Sequence, residues 1–247
     1  MNTRRILLFG AAVVFTAVSS LGAFTLEPII LYLTPSGQES SGVLTLNNPG
    51  EKTLAVELSI LRRSQDFDGK EIREEAPEGL FTLFPSSLIM EPGSRRTVRI
   101  RWTGPQKLER EESFRILAEQ LPVDFEEDSV QGAGRISIMF RYLAALYVTP
   151  SGADPQVVFQ RAPVEELGGR TGNGWVRVEN RGRRHQILSQ LELSVTTQKK
   201  NRFILKEEDL QGLANENVLA GTVRYYRLPS LPEGEEVMDV QFTTSQQ

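Results

Sequence analysis

Chemistry in a protein needs a nucleophile, a base or a set of ligands, and this chain is poor in all three. Its 247 residues include one histidine, His185, and no cysteine. Ser-His-Asp catalysis, Cys-His catalysis and any metal site with an imidazole ligand would have to use that histidine. It stands in "NRGRRHQ" (180–186), a basic turn between strands with no carboxylate or thiol beside it in the chain, and reads as a turn residue. "DFDGKE" (66–71) places Asp66, Asp68 and Glu71 like the start of a calcium loop. It lacks the third oxygen ligand before the glycine and the late bidentate glutamate, so it reads as a solvated turn. "GGRTGNG" (168–174) is rich in glycine, but a strand follows it where a phosphate cradle needs a helix amino-terminus. It reads as a hairpin loop. The arginines of "RRTVRIR" (95–101) form the outward row of a strand, either a solvated face or a surface for an anionic group on a partner. No pair of carboxylates is set for acid–base work. A hydrolase reading fails for want of a nucleophile–base pair. No catalytic residue, metal ligand or cofactor is assigned, and the chain does not read as an enzyme.

The elements around these residues are strands. Segments rich in Val, Ile, Leu and Thr alternate with period two between Gly, Pro and Asn. "TLEPIILYL" (25–33) reads as the first strand, and "GVLTLNN" (42–48) ends at the turn signal "NNPG". "TLAVELSIL" (53–61) puts Leu54, Val56, Leu58 and Ile60 on one face, and "LFPSSLIMEPG" (83–93) runs into a Pro-Gly turn. "RRTVRIRWTG" (95–104) turns Val98, Ile100 and Trp102 inward and Arg99 and Arg101 outward, and "SFRILAEQLP" (113–122) keeps Phe114, Ile116 and Ala118 in register. Strands so spaced predict an all-β antiparallel sandwich. After "YVTPSGADP" the pattern restarts through 175–182 and 187–197 to the last strand, "EVMDVQFTT". A second sandwich of about 95 residues follows, hinged at Pro150 to Pro155. No residue-level repeat links the halves, and "LKEEDLQGLANENVL" (205–219) has room for one helical turn.

The chain begins with a basic head, an apolar run from Ile6 to Val18, and small residues up to Ala23. This predicts a secretory leader cleaved after Gly22 or Ala23, too short in its apolar part to span a membrane. The expected division is a leader at 1–23, a first domain at 24–150 and a second at 151–247. The net charge of −4 becomes more negative when Arg4 and Arg5 leave with the leader. An acidic, exported chain is a poor nucleic-acid binder. Without cysteine, its stability rests on apolar burial rather than disulfides.

One stretch raises a functional question. In "RISIMFRYLAALYVTP" (135–150), Ile136, Ile138, Phe140 and Tyr142 form a bulky row two residues apart. The acidic, glycine-containing loop "PVDFEEDSVQGAG" (122–134) precedes it. Such a row either fills the sandwich's own core or serves a partner.

The order of segments resembles a family. "SGVLTLNNPGEKTLAVELSI", "FPSSLIMEPGSRRTVRIRW", "ESFRILAEQLP", the acidic loop and a strand ending "LYVTP" follow one another as in the PapD-like periplasmic chaperones of the chaperone–usher pathway. The likeness covers the first domain, and the second follows in length and strand content. It implies two immunoglobulin-like β-sandwich domains in an L shape, a periplasmic location and no catalysis. It also implies pilin-like subunits and an outer-membrane usher as partners. The last strand of the first domain then completes a subunit's fold by donor-strand complementation, with Ile136, Ile138, Phe140 and Tyr142 in the subunit's groove. Four such side chains, at about 1.5–3 kcal/mol each when fully buried, give on the order of 6–12 kcal/mol before association costs.

The sequence departs from the family in its anchors. Basic residues that hold a subunit's terminal carboxylate in the family align with Ile30 and Ala145, leaving Arg141, Arg99 and Arg101 as candidates. The family's Tyr-Arg-Pro junction reads "YVTP", so Glu112, aligned with its acidic partner, is expected to lack the usual interdomain ion pair. An exposed donor edge also predisposes the free chain to self-association. The alternative reading is an exported immunoglobulin-like adhesion or scaffold module whose last strand is an ordinary core strand.

Overall fold

The computed structural model describes residues 23–123, 138–170, 174–229 and 235–243. The expected leader as far as Gly22, the acidic stretch from Asp124 and Ile136 lie outside the described residues. Alternating segments become strands throughout. The first half carries β1 (Thr25–Glu27), β2 (Ile30–Leu33), β3 (Ser41–Asn47), β4 (Leu54–Gln65), β5 (Glu71–Glu75), β6 (Phe81–Phe84), β7 (Ser87–Met90), β8 (Arg95–Trp102), β9 (Glu112–Gln120) and β10 (Arg141–Val148). They pair as β1-β3-β8-β6 in one sheet and β2-β10-β9-β4-β5 in the other, with β7 also on β4.

Two strands expected as single runs are broken at prolines. "TLEPIILYL" splits at Pro28 into β1 on one sheet and β2 on the other, and "LFPSSLIM" splits at Pro85 into β6 and β7. Proline has no N–H to continue a ladder, so each break falls where pairing cannot be kept.

Between the sheets lies the core that the alternation predicts. Leu54, Val56, Leu58, Val98, Ile100, Trp102, Phe114, Ile116 and Ala118 are all buried, and Arg99 and Arg101 face out. Phe81 meets Trp102 and Phe114 edge-on at 5.0 and 4.8 Å between ring centres.

The second half holds β11 (Val157–Arg161), β12 (Trp175–Asn180), β13 (Gln186–Ile187), β14 (Glu192–Thr197), β15 (Arg202–Leu205), β16 (Asn217–Val218), β17 (Val223–Arg227) and β18 (Val237–Thr243). Sheets β11-β12-β17 and β15-β14-β18, with the short pair β13-β16, enclose a separate core that includes Val176, Val178, Leu188, Leu193 and Val195. The helical allowance at 205–219 appears as a single 3-10 turn, Glu207–Asp209. The fold is all-β, with two immunoglobulin-like domains.

The halves do share a residue-level device, contrary to the sequence reading. Asn48 and Asn180, each closing a strand and each two residues before a glycine, are fully buried. Asn48 Nδ2 donates to the carbonyls of Lys52 (2.7 Å) and Met90 (3.0 Å), while its Oδ1 accepts from Gly50 N (3.1 Å). Asn180 Nδ2 donates to Arg184 O (2.8 Å) and Val218 O (3.0 Å), and its Oδ1 accepts from Gly182 N (3.0 Å). Each asparagine backbone also exchanges two hydrogen bonds with a Gly-Ser or Gly-Thr turn, Gly93-Ser94 or Gly221-Thr222. A buried amide with four bonding positions satisfies backbone groups that a strand end would leave unpaired.

Candidate functional site

The last strand of the first domain has two different halves. β10 pairs antiparallel with β9 along its whole length, from Arg141 opposite Glu119 to Val148 opposite Glu112. On its other edge it pairs with β2, in parallel, only from Ala145 to Val148. The hydrogen bonds show which residues face which edge. Gln120 N donates to Phe140 O (2.9 Å) on the β9 side, whereas Ala145 N donates to Ile29 O and Thr149 N to Leu33 O (both 2.8 Å) on the β2 side. By the alternation of the ladder, Arg141 and Leu143 turn their N–H and C=O groups to the β2 side. Among the described residues no strand pairs with them there.

The side chains of the expected row are unequally placed. Ile138 is 54% exposed, whereas Phe140 and Tyr142 are half-buried against the first domain's core. Tyr142 meets Phe24 edge-on at 4.7 Å. Further along, Ala144, Leu146 and Val148 continue this row into the core. The opposite row begins with Met139 and Leu143, both exposed, and ends with Ala145 and Tyr147, buried against Leu219 of the second domain.

The candidate anchors are dispersed. Arg99 and Arg101 project from β8, on the outer face of the sheet that does not contain β10. Arg141 is exposed and ion-paired with Glu119 directly across the ladder. Ile30 and Ala145, the two positions aligned with the family's basic anchors, are register partners. The cation beside them is Arg115, opposite Ala145 on β9, which the sequence reading passed over as part of "ESFRILAEQLP". Arg115 Nε donates to both oxygens of Glu71 (3.0 and 3.2 Å), and buried Arg63 lies 2.7 Å from the same carboxylate. Burial opposes ionisation of Glu71. The Arg115 hydrogen bond and the charges of Arg63, Arg115 and Arg73 outweigh it and hold the carboxyl below its usual range.

The domain junction corrects the reading of His185 and leaves Glu112 without an interdomain ion pair, as expected. His185 is not a free turn residue: it is buried, with Nδ1 2.7 Å from Glu111 Oε1 and its ring stacked on Tyr147 at 4.1 Å. Glu111 Oε2 accepts from Thr149 Oγ1 (2.8 Å), and Oε1 also accepts from His185 N (3.1 Å). Glu112 instead pairs with Arg62 inside the first domain, at 3.2 Å. The carboxylate that bonds across the junction is therefore Glu111, one residue earlier, through His185, while Thr149 holds its other oxygen from within the first domain. His185 and Glu111 are 74 positions apart, beyond any local motif. Their contact ties the second domain to the first.

The "DFDGKE" turn is likewise not simply solvated. Asp66 Oδ1 accepts from the N–H groups of Asp68 (3.0 Å) and Lys70 (2.8 Å), and the turn abuts the second domain. No cluster of candidate metal ligands occurs among the described residues.

Comparison with known proteins gives this arrangement a family. Residues 27–154, just over half of the chain, match the model described as pili and flagellar-assembly chaperone, PapD N-terminal domain. The fold is similar to a chain of the CsuC–CsuE chaperone–tip adhesion subunit pre-assembly complex from the archaic chaperone-usher Csu pili of Acinetobacter baumannii. That match has a TM-score of 0.59 at 15% identity and covers 88% of this chain and 97% of that one. The class 5 fimbriae chaperone CfaA matches with a TM-score of 0.57 at 14% identity, over 91% of this chain and 100% of its own. The SafA pilin–SafB chaperone complex of Salmonella enterica matches at 0.52 and 16% identity, over 89% and 91%. At these identities the structural likeness is one of fold. No curated protein sequence matches. By its first domain the chain belongs to the family of PapD-type pilus-assembly chaperones, which are not enzymes.

Proposed function

We propose that the protein is a periplasmic chaperone that captures an incomplete pilus-type subunit along the open half of β10 and passes it to an outer-membrane usher. The observation that carries this reading is the edge at Arg141 and Leu143, whose backbone groups no described strand pairs. An extended segment added there makes main-chain hydrogen bonds, and alternate side chains choose the partner. The CsuC–CsuE and SafA–SafB complexes hold a chaperone with an adhesion subunit and a pilin respectively, which supports a subunit as occupant. In this reading the leader is removed near Ala23, and the domains run over 24–150 and 151–247.

Of the described members of the donor row, Ile138 is the one that gains most on binding. Phe140 and Tyr142 already draw part of their burial from their own core, so the apolar gain is less than four fully buried side chains would give. Arg115 is the cation placed to meet a subunit carboxylate near Ala145, in place of Arg141, Arg99 or Arg101.

Co-expression with small exported proteins followed by pull-down tests the proposal. Ile138→Asp should weaken capture by about tenfold or more while leaving the thermal unfolding of the chaperone nearly unchanged. Undiminished capture by this variant would show that the assigned row is not the grip. Phe140→Glu is a poorer probe, because that ring supports the fold as well.

A further inference from the structure

The turn Asp66–Lys70 links β4 to β5 and reaches across to the second domain. Phe67 O accepts from Tyr225 N (2.7 Å) on the side of β17 that does not pair with β12. The two rings lie 5.8 Å apart. Asp68 Oδ1 accepts from Arg170 Nη2 at 2.5 Å. Gly69, at φ +81°, passes so close under Arg224 that a Cβ would stand 1.9 Å from its guanidinium. Just before the turn, Gln65 behaves like an extra peptide unit: Nε2 donates to Asn217 O (2.7 Å) and Oε1 accepts from Leu219 N (3.2 Å). Asn217 is held at both ends, since its Nδ2 donates to Tyr147 Oη (2.7 Å), which also accepts from Arg63 Nη1 (2.9 Å).

A chain of bonds thus runs from β4 through β16 to the closed half of β10. We propose that Gln65 and the turn after it form an interdomain clamp, and that Gln65 is a positioning residue for β10. The clamp sets the second domain against Tyr147 and so fixes the floor, Ala145, Tyr147 and Leu219, beside the open edge. At Tyr147, whose ring stacks on His185, it meets the Glu111–Thr149–His185 junction, so the seam runs without a break from that junction to Asp68. Attachments spread along a seam resist rotation that one end of it alone would permit. The clamp is a property of the free chain, and its consequence for capture rests on the function proposed above.

The isosteric change Gln65→Glu tests it. The substitution replaces the amide donor with a carboxylate oxygen facing Asn217 O, and leaves volume unchanged. Hydrogen exchange at the amides of Leu219 and Tyr225 should accelerate by about tenfold or more, as expected for loss of coupled hydrogen bonds at one seam. Small-angle scattering should show a wider spread of interdomain arrangements, and a captured subunit should dissociate faster. Both domains should still unfold at their unmodified temperatures. Gly69→Ala offers a second route, forcing Arg224 aside. Adding Arg224→Ala should restore protection at Tyr225 while the strained φ remains, which a purely local turn defect would not allow. Unchanged exchange and scattering in Gln65→Glu would overturn the clamp. An opened seam with an unaltered subunit dissociation rate would overturn the positioning role. If the unmodified chain captures no subunit, the capture reading and the positioning role both fall, whereas exchange at Leu219 and Tyr225 still decides the clamp.

Discussion

Within β10, eight consecutive residues meet two opposite fates. From Ala145 to Val148 the strand is paired on both edges, and its side chains are buried in the first domain's core or at the junction with the second. From Arg141 to Ala144 it keeps β9 on one edge but has no described partner on the other. Exposed, flat strand edges are normally suppressed because they template pairing. β5, the edge strand of the same sheet, is protected in the usual way by its charged sequence "EIREE". The open half of β10 and the residues leading into it carry Leu143, Met139 and Ile138 instead, a composition suited to pairing rather than to preventing it. The difference teaches that the closed half is an anchor for the chaperone's own architecture, while the open half is left available for the strand addition proposed above.

The comparison can be broken most severely from the closed side. Leu146 is fully buried, so Leu146→Ala should destabilise the first domain by about 2–5 kcal/mol in denaturant unfolding. A loss below about 1 kcal/mol would mean that this half is not the structural one. Tyr147→Phe removes the hydroxyl that accepts from Arg63 and Asn217, leaving two partly buried donors short of a partner. A loss of about 1–3 kcal/mol is expected.

On the open side the signs separate. Ile138→Asp should change stability by no more than about 0.5 kcal/mol, as for other exposed positions, while subunit affinity falls by about tenfold or more. Equal losses of stability and affinity would erase the distinction between the halves.

The smallest effect concerns pH. Glu71 has a depressed carboxyl pKa, so its contribution is present above the unfolded carboxylate value and is lost as pH falls through the lower folded value. Acid titration should therefore weaken the Arg63–Glu71–Arg115 group below about pH 4, where unfolded glutamates begin to protonate. Glu71→Gln should flatten that part of the stability profile. A variant with the same acid profile as the unmodified chain would remove Glu71 from the account.

Where alternation governs, the sequence was a reliable guide. Val98, Ile100 and Trp102 are buried and Arg99 and Arg101 exposed because β8 has one sheet face in the core and one in water. The donor row was harder. Period two places Ile138, Phe140 and Tyr142 on one face, but it says nothing of how far along the strand β2 seals the other edge. Contacts between distant segments left no local trace. His185 finds its carboxylate 74 residues away, and Gln65 finds Asn217 and Leu219 more than 150 residues away. The shared asparagines were visible as "NNPG" and "ENRG", yet only their burial revealed a common role.

Backbone amide exchange, measured residue by residue on the free chain and on its complex with a captured subunit, tests the central claim most directly. Ala145 and Thr149, bonded to Ile29 and Leu33, should be protected in both states. Arg141 and Leu143 should exchange rapidly in the free chain and become protected in the complex, because their N–H groups then bond the added strand. Rapid exchange at these two amides in a complex that is otherwise stable would contradict the account.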